Sequence, residues 1–192
     1  ILASESCPSI SPKNAGNTPV EQVRAIANDI VCSFIELQSN NNGTMASTLN
    51  LTKKKIIPYI DLEYSTEMAL GSYWGQLDSR QKKIFERDVK SSLINEYVGI
   101  LSDLAIWKDI TISVNEDFSQ NGNLARVKVS VSLEEDNASA TVTLKLISKN
   151  RWKIYDLEYQ SISILDIERV GYDSKIKRQG IEKLIQKMLS KS

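Results

Sequence analysis

The sequence predicts an α+β protein, in which a curved, four-stranded antiparallel sheet carries about six or seven helices on its apolar face. Two observations predict this fold. Apolar residues recur every three or four positions over 19–104 and again over 165–190, whereas after Trp107 they alternate with polar residues. The first spacing is typical of amphipathic helices and the second of strands with one buried face. Because such a sheet exposes an apolar face, the helices before and after it must cover that face.

The helices have clear start signals in the sequence. Thr18 precedes Pro19, and Glu21 follows three positions after the threonine, which is the arrangement of a capping box. Asp78 and Gln81 repeat that arrangement before the longest apolar stripe. These signals and the apolar spacing predict helices over 19–38, 46–57, 61–71, about 79–104, 165–178 and 181–190.

Four runs of alternating residues make the predicted sheet. Turn-forming residues separate the runs at 119–123, 135–137 and 148–150, so consecutive strands pair as a meander. The alternation places one set of apolar residues on a single face: Ile110, Ile112, Val114, Val127, Val129, Val131, Leu133, Val142, Leu144, Leu146, Trp152 and Ile154.

The composition excludes several classes of function. The chain has 192 residues, with 24 Lys and Arg against 24 Asp and Glu, and it contains no histidine. A net charge of zero argues against a nucleic-acid partner, because affinity for phosphate backbones depends on concentrated cations. Without histidine, Ser-His-Asp triads and His-containing metal sites are impossible. No apolar run approaches the roughly 20 residues that span a bilayer.

The chain divides into a short arm and one domain. Residues 1–17 are rich in Ser, Pro, Asn and Gly, which predicts a flexible N-terminal arm, and residues 18–192 suffice for a single domain. The first residues lack the basic and apolar regions of a signal peptide. Cys7 and Cys32 are too few for a metal cluster. A disulfide between them and two independent thiols both remain open.

Aromatic residues cluster before and within the longest predicted helix. Ordinary core packing and an apolar pocket with polar Tyr and Trp tips at its mouth both explain the cluster. Asp61 and Glu63 lie beside it, where helix capping or a salt bridge explains them better than an acid pair. The cluster consists of Tyr59, Tyr64, Tyr73, Trp74, Phe85 and Tyr97.

Two longer stretches resemble one protein family. The first comprises Ile56–Tyr64, Ala69–Trp74, Gln81, Phe85 and Tyr97, and the second comprises Arg151–Leu157, Ile162, Ser163, Arg169, Tyr172, Gly180 and Ile181. In order and spacing they resemble the toluene-tolerance family, the MlaC-type periplasmic phospholipid-binding proteins of Gram-negative bacteria. The resemblance covers roughly residues 20–190. The sequence departs from the pattern at Ser161, where the family usually has glycine, and at Glu168, where it often has tyrosine.

The resemblance implies a carrier that moves phospholipid through the periplasm and maintains outer-membrane lipid asymmetry. Its implied partners are phospholipid, an outer-membrane lipoprotein–porin complex and an inner-membrane ABC transporter with a lipid-binding ring. It also implies a monomer whose signal peptide has been removed, no catalytic residues, no metal and no cofactor beyond the lipid cargo. The alternatives are a small-molecule enzyme on a similar fold, with Asp61 or Asp156 as acid or base, and a protein-interaction or chaperone module.

The resemblance further implies that the acyl chains lie in a cavity between the helices and the apolar face of the sheet. Alternation and helical spacing then give the candidate cavity walls, although plain core packing is open for each of these residues. The candidates are Leu70, Tyr73, Trp74, Val89, Leu93, Tyr97 and Leu101 from helices, and Val127, Val129, Val131, Leu144, Leu146, Trp152 and Ile154 from strands.

Overall fold

Four helices precede an antiparallel sheet and two helices follow it in the computed structural model, which describes residues 17–40, 44–101, 110–133 and 138–190. The helices are α1 (Pro19–Ser39), α2 (Met45–Leu51), α3 (Leu62–Leu70), α4 (Ser79–Leu101), α5 (Ile164–Gln179) and α6 (Ile181–Leu189). The strands are β1 (Ile110–Asn121), β2 (Leu124–Leu133), β3 (Ala138–Ser148), β4 (Trp152–Tyr159) and β5 (Ile162–Ser163). The α+β class is therefore confirmed.

The sheet has five strands in the order β1-β2-β3-β4-β5, so the prediction of four strands was wrong. The fifth strand is only two residues long and pairs with the end of β4. The turn between them places Gln160 and Ser161 at φ values of 49° and 64°. Hairpin turns with positive φ normally contain Gly or Asn, and neither residue is present to signal the turn. Ser161 thus takes a left-handed conformation that glycine adopts without strain.

The strand register confirms the predicted alternation. Val127 lies opposite Leu144, and Val129 lies opposite Val142, so apolar side chains of β2 and β3 share one face. β1 carries a bulge between Val114 and Phe118. Such a bulge bends the strand and increases its twist, which curves the sheet around the helices that cover it.

The predicted helix starts are also confirmed. The backbone N–H of Glu21 donates to the Thr18 hydroxyl at 3.2 Å, and the Thr18 N–H donates to the Glu21 carboxylate at 3.0 Å. Asp78 and Gln81 exchange the same pair of bonds at 2.8 and 3.0 Å. Each capping box satisfies backbone donors that a helix terminus would otherwise leave unbonded.

The helix predicted over 46–57 is divided into three parts. α2 continues as a π-helical turn, Thr52–Ile56, and then as a 3₁₀ turn, Ile57–Tyr59. The Ile57 N–H accordingly donates to the carbonyl five residues earlier, that of Thr52. Pro58 has no N–H and its ring clashes with a regular preceding turn, so the helix changes its hydrogen-bond spacing before the proline.

Three predicted features lie partly or wholly outside the described residues. They are the arm over 1–17, of which only Asn17 is described, the end of the long helix after Leu101, and the turn at 135–137. Cys7 belongs to the same undescribed part. Cys32 of α1 is disulfide-bonded.

Asp156 of β4 fixes the start of α5 against the sheet. Its side chain is buried, and it accepts hydrogen bonds from the Ser163 hydroxyl at 2.6 Å and the Leu165 N–H at 3.2 Å. Ser163 in turn caps α5 by accepting from the Asp166 N–H. The ammonium group of Lys145 lies 2.8 Å from the Asp156 carboxylate and balances its charge. A buried carboxylate with these partners holds sheet and helix in one fixed geometry.

Asp156→Asn should lower the free energy of unfolding by about 2 kcal/mol, because it removes the nearer of the two carboxylates, Asp156 and Glu158, that pair with the half-buried Lys145. Asp166→Asn, an exposed change one turn into α5, is the matched control and should cost less than about 1 kcal/mol. Urea unfolding measures both. Equal losses for the two variants would contradict the anchoring role of Asp156.

Candidate functional site

The apolar face of the sheet forms one wall of the protein interior. Val127 and Leu146 are completely buried, and Val129 and Ile154 are nearly so. Helix α1, which packs against β1 and β2, provides part of the opposite wall through residues such as Val23, which is 1% exposed. Facing apolar layers of this kind form a core when they touch and an apolar cavity where they do not.

Most of the predicted wall residues belong to one hydrophobic cluster. Buried members of that cluster are Leu70, Val89, Leu93, Val127, Val129, Leu146, Trp152 and Ile154, and half-buried members are Tyr73, Trp74, Val131 and Leu144. The structure therefore brings twelve of the fourteen candidates together. The side chains of the other two, Tyr97 and Leu101, lie outside the described part of the chain. Contact of any of these residues with lipid stays a prediction.

Burial divides this cluster into a closed part and an accessible part. At one end of the inner face Ala125, Val127 and Leu146 are almost fully buried. Toward the other end Val131 of β2 and Val142 of β3, which lies opposite Val129, are only half-buried, although they point to the same face. Half-buried apolar side chains on an inward face border space that a solvent-sized molecule reaches.

Helix α1 faces this accessible part of the sheet. We call the half-buried side chains of α1 and of the sheet that meet here the apolar wall. α1 packs against β1 and β2, and its residues Ile30 and Val31 are half-buried where they meet the same cluster. The apolar wall consists of Ile30, Val31, Ile112, Val114, Val131, Val142 and Leu144. It is the candidate binding site because its surface is apolar, inward-facing and incompletely covered.

The prediction of site residues omitted most of this wall. Ile30 lies in the apolar stripe of α1, while Ile112 and Val142 lie in the predicted strand alternation, so their inward orientation could be inferred from the sequence. Val31 is adjacent to Ile30 and off the stripe, so periodicity gave no signal for it. The distance between α1 and the sheet decides which inward-facing residues stay partly accessible to solvent. That distance cannot be inferred from the periodicity of the sequence.

Two aromatic candidates, Tyr73 before α4 and Trp152 at the start of β4, have polar tips that are already bonded. The hydroxyl of Tyr73 donates to Asp173 at 3.0 Å, and the Trp152 indole N–H donates to the Asn17 carbonyl at 3.1 Å. Lys82 places its ammonium group 4.5 Å from the centre of the Trp74 ring. These contacts tie the aromatic side chains to neighbouring elements, which explains their polar ends without a ligand.

The carboxylates beside the aromatic cluster have structural partners. Asp61 accepts from the Tyr64 N–H at 3.0 Å and so caps α3, and Lys149 lies 3.1 Å from Asp61 and 3.3 Å from Glu63. The expected capping and salt bridging are both confirmed. Among the described residues no group of three or more Cys, Asp and Glu side chains is placed to hold a metal ion.

A second polar group lies under α1. Asp29 accepts hydrogen bonds from Lys55 at 2.9 Å and from the Tyr59 hydroxyl at 3.2 Å. Burial, together with the nearby Asp29 carboxylate, raises the pKa of Tyr59 to about 12. The hydroxyl therefore stays protonated at neutral pH and serves as a fixed donor that joins α1 to the 3₁₀ turn.

The fold and the candidate site together define an α+β protein with a half-buried apolar wall between α1 and an antiparallel sheet. No helix in the described ranges has the length and apolar character to cross a membrane. The family model described as MlaC protein matches residues 26–190. The chain therefore belongs to the MlaC family.

Two known proteins are similar to this chain. The "Intermembrane phospholipid transport system binding protein MlaC" of Haemophilus influenzae is 25% identical over 161 residues, which are 81% of this chain and 74% of that protein. A phospholipid-binding protein from Ralstonia solanacearum, solved in complex with a phospholipid, matches with a TM-score of 0.73 and 22% identity. That match covers 88% of this chain and 93% of the solved one, and it shows a shared fold.

Tyr73→Phe should lower the melting temperature near pH 7 and change it little once the pH is below the lowered pKa of Asp173 or above the raised pKa of Tyr73. Hydrogen bonds from Lys177 and Tyr73 lower the pKa of Asp173 below 3.8, and the bond to Asp173, followed by burial, raises the pKa of Tyr73 above 10.0. The wild-type advantage is thus lost as the pH falls through the lowered pKa of Asp173 or rises through the raised pKa of Tyr73. Thermal melts across this range measure it, and a difference independent of pH would contradict the bond.

Proposed function

We propose that this protein is a periplasmic phospholipid carrier that shuttles lipid between the outer and inner membranes and holds the acyl chains against the apolar wall. The observation that carries the proposal is the half-buried, inward-facing apolar surface between α1 and the sheet in a member of the MlaC family. An apolar surface that is incompletely covered in the protein gains free energy when an acyl chain covers it. The phospholipid complex of the Ralstonia solanacearum protein, which shares this fold, supports the same ligand class.

The physics of lipid hydration explains why a carrier is needed. Each CH₂ group that enters water costs about 0.8 kcal/mol, so two acyl chains of about sixteen carbons cost on the order of 25 kcal/mol. That cost makes free diffusion of a phospholipid between membranes far too slow. A protein that keeps the chains in an apolar site removes most of the cost and leaves the charged headgroup near solvent.

The remaining parts of the proposal concern partners and organisation. Residues 18–192 form one lipid-binding domain that works as a monomer, without a resident cofactor or metal. Its protein partners are the outer-membrane lipoprotein–porin complex and the inner-membrane ABC transporter with a lipid-binding ring. The name of the Haemophilus influenzae relative, a binding protein of an intermembrane transport system, supports such partners.

An enzyme on the same fold fits the site less well. The two carboxylates that such an enzyme would use, Asp61 and Asp156, are both buried and both engaged by lysines, Lys149 and Lys145 respectively. The oxygens of both carboxylates are already occupied by helix-cap hydrogen bonds and by their lysine partners. Neither carboxylate belongs to the apolar wall. The wall can therefore bury an apolar ligand, but neither carboxylate is placed there to transfer a proton.

Protein purified without detergent should carry phospholipid in near-stoichiometric amount. Native mass spectrometry gives the occupancy, and organic extraction of the same sample identifies the headgroup and the number of chains. If the purified protein carries no lipid and takes up none from added vesicles, that result would contradict the carrier function and favour the protein-interaction alternative.

Val131→Trp should reduce the bound phospholipid at least severalfold, because the indole fills the space beside the apolar wall and competes with the acyl chain. Ser130→Trp is the matched control: it adds the same ring at the adjacent position, on the opposite, polar face of β2, where Ser130 lies beside Thr141. It should keep wild-type lipid content. Leu144→Trp, on the strand next to Val131's, provides a second test if Val131→Trp folds poorly. Equal lipid content in all variants, with unchanged melting temperatures, would show that the apolar wall does not hold the lipid.

A further inference from the structure

An open cleft lies on the surface away from the apolar wall, between the β3–β4 turn and the start of α3. Its volume is about 600 Å³, and it is bordered by residues 57–63 on one side and by residues 149–153 on the other. Ile57 and Ile60 form part of its apolar base and are 7% and 4% exposed. We call it the basic cleft because of the charges along its second side.

Two cations of the basic cleft have no acidic partner. Lys149 is paired with both Asp61 and Glu63. Arg151 and Lys153, which also line the cleft, take part in no salt bridge in the described part of the chain. The lining thus carries three cations against two carboxylates, a net positive charge, and Arg151 and Lys153 are the two cations available to an anionic partner.

Two more cations extend the charge beyond the cleft. Lys53 and Lys54 are exposed and lie one turn before Ile57 and Pro58 along the chain. No salt bridge engages either lysine within the described ranges. Lys53 and Lys54 thus add two exposed positive charges to the segment that leads directly into the base of the cleft.

The two sides of the cleft are rigidly joined. The Asp61 N–H donates to the Ile154 carbonyl at 2.8 Å, and the Ser65 hydroxyl donates to the Tyr155 carbonyl at 2.7 Å. The rings of Tyr64 and Tyr155 meet edge to face at 4.9 Å. Because these contacts fix α3 to β4, the cleft exists before any partner arrives, and binding there loses little conformational entropy.

We propose that the basic cleft docks an extended, acidic segment of a protein partner at the membrane. The proposal rests on the carrier function, since a carrier must dock before it exchanges lipid. Carboxylates of the segment pair with Arg151, Lys153 and the neighbouring lysines, while its apolar side chains lie on Ile57 and Ile60. A flat bilayer surface cannot reach the base of a concave cleft, so the shape favours a protein segment over anionic lipid headgroups.

The test compares charge reversal inside the cleft with equal reversal elsewhere. Arg151→Glu/Lys153→Glu should lower affinity for at least one of the two membrane complexes, the lipoprotein–porin complex or the ABC transporter, by about tenfold or more, because like charges then face each other. Lys128→Glu/Lys183→Glu is the matched control, since it makes the same charge change at exposed positions of β2 and α6. It should change affinity less than about twofold. Binding is measured with each complex in nanodiscs, at low and high salt.

A second charge-reversal variant, a vesicle-binding assay and a measurement of lipid content separate the possible outcomes. Lys53→Glu/Lys54→Glu reverses the charge at two exposed positions next to the cleft. Loss of affinity in this variant supports the proposal even if Arg151→Glu/Lys153→Glu is unstable. Unchanged affinity in both cleft variants overturns it. A second result also overturns the proposal: the wild-type protein binds phosphatidylglycerol vesicles and the charge-reversal variants do not. The cleft would then bind a bilayer surface rather than a protein segment. Lipid content is measured on the same samples. Wild-type protein without bound lipid would contradict the carrier function, whereas the affinity for the membrane complexes decides the role of the cleft independently.

Discussion

The sheet has one apolar face, and the rest of the structure depends on covering it. A five-stranded meander alternates apolar and polar side chains, so every inward residue from Val127 to Ile154 needs a helix above it. Helices α1, α3 and α5 contact the sheet, and α4 packs against α3 and α6. Where this cover is tight the interior is a core. Beneath α1 several inward-facing apolar side chains stay half-buried, and these form the apolar wall.

Two buried carboxylates set the position of the covering helices. Asp61 caps α3 beside β4, and Asp156 of β4 holds the capped start of α5. Each has a lysine partner, which keeps the charge from being buried alone. These two anchored helices and the half-buried apolar wall give the protein a rigid frame with an accessible apolar region. A carrier needs both, because the frame preserves the site while cargo enters and leaves.

The sequence predicted the elements better than the site. Helix starts at Thr18 and Asp78 followed from capping patterns, which are local and depend on few neighbouring residues. The fifth strand did not, because Gln160 and Ser161 form its turn without the usual residues. Val31 was missed because it lies off the stripe of α1. A core and a lipid site use the same residue types, so the pattern that predicted inward-facing residues could not tell which of them border open space.

The sequence by itself determined the α+β class, the helix boundaries near their caps, the apolar face of the sheet and the absence of histidine chemistry. These properties are local, since each depends on residues within a few positions of one another along the chain. Only the tertiary structure decided which inward residues are half-buried, how Asp156 joins the sheet to α5, and how Arg151 and Lys153 come to face the start of α3 across the basic cleft. Those properties are distances between segments far apart in the chain, and the packing of whole helices on a curved sheet sets them.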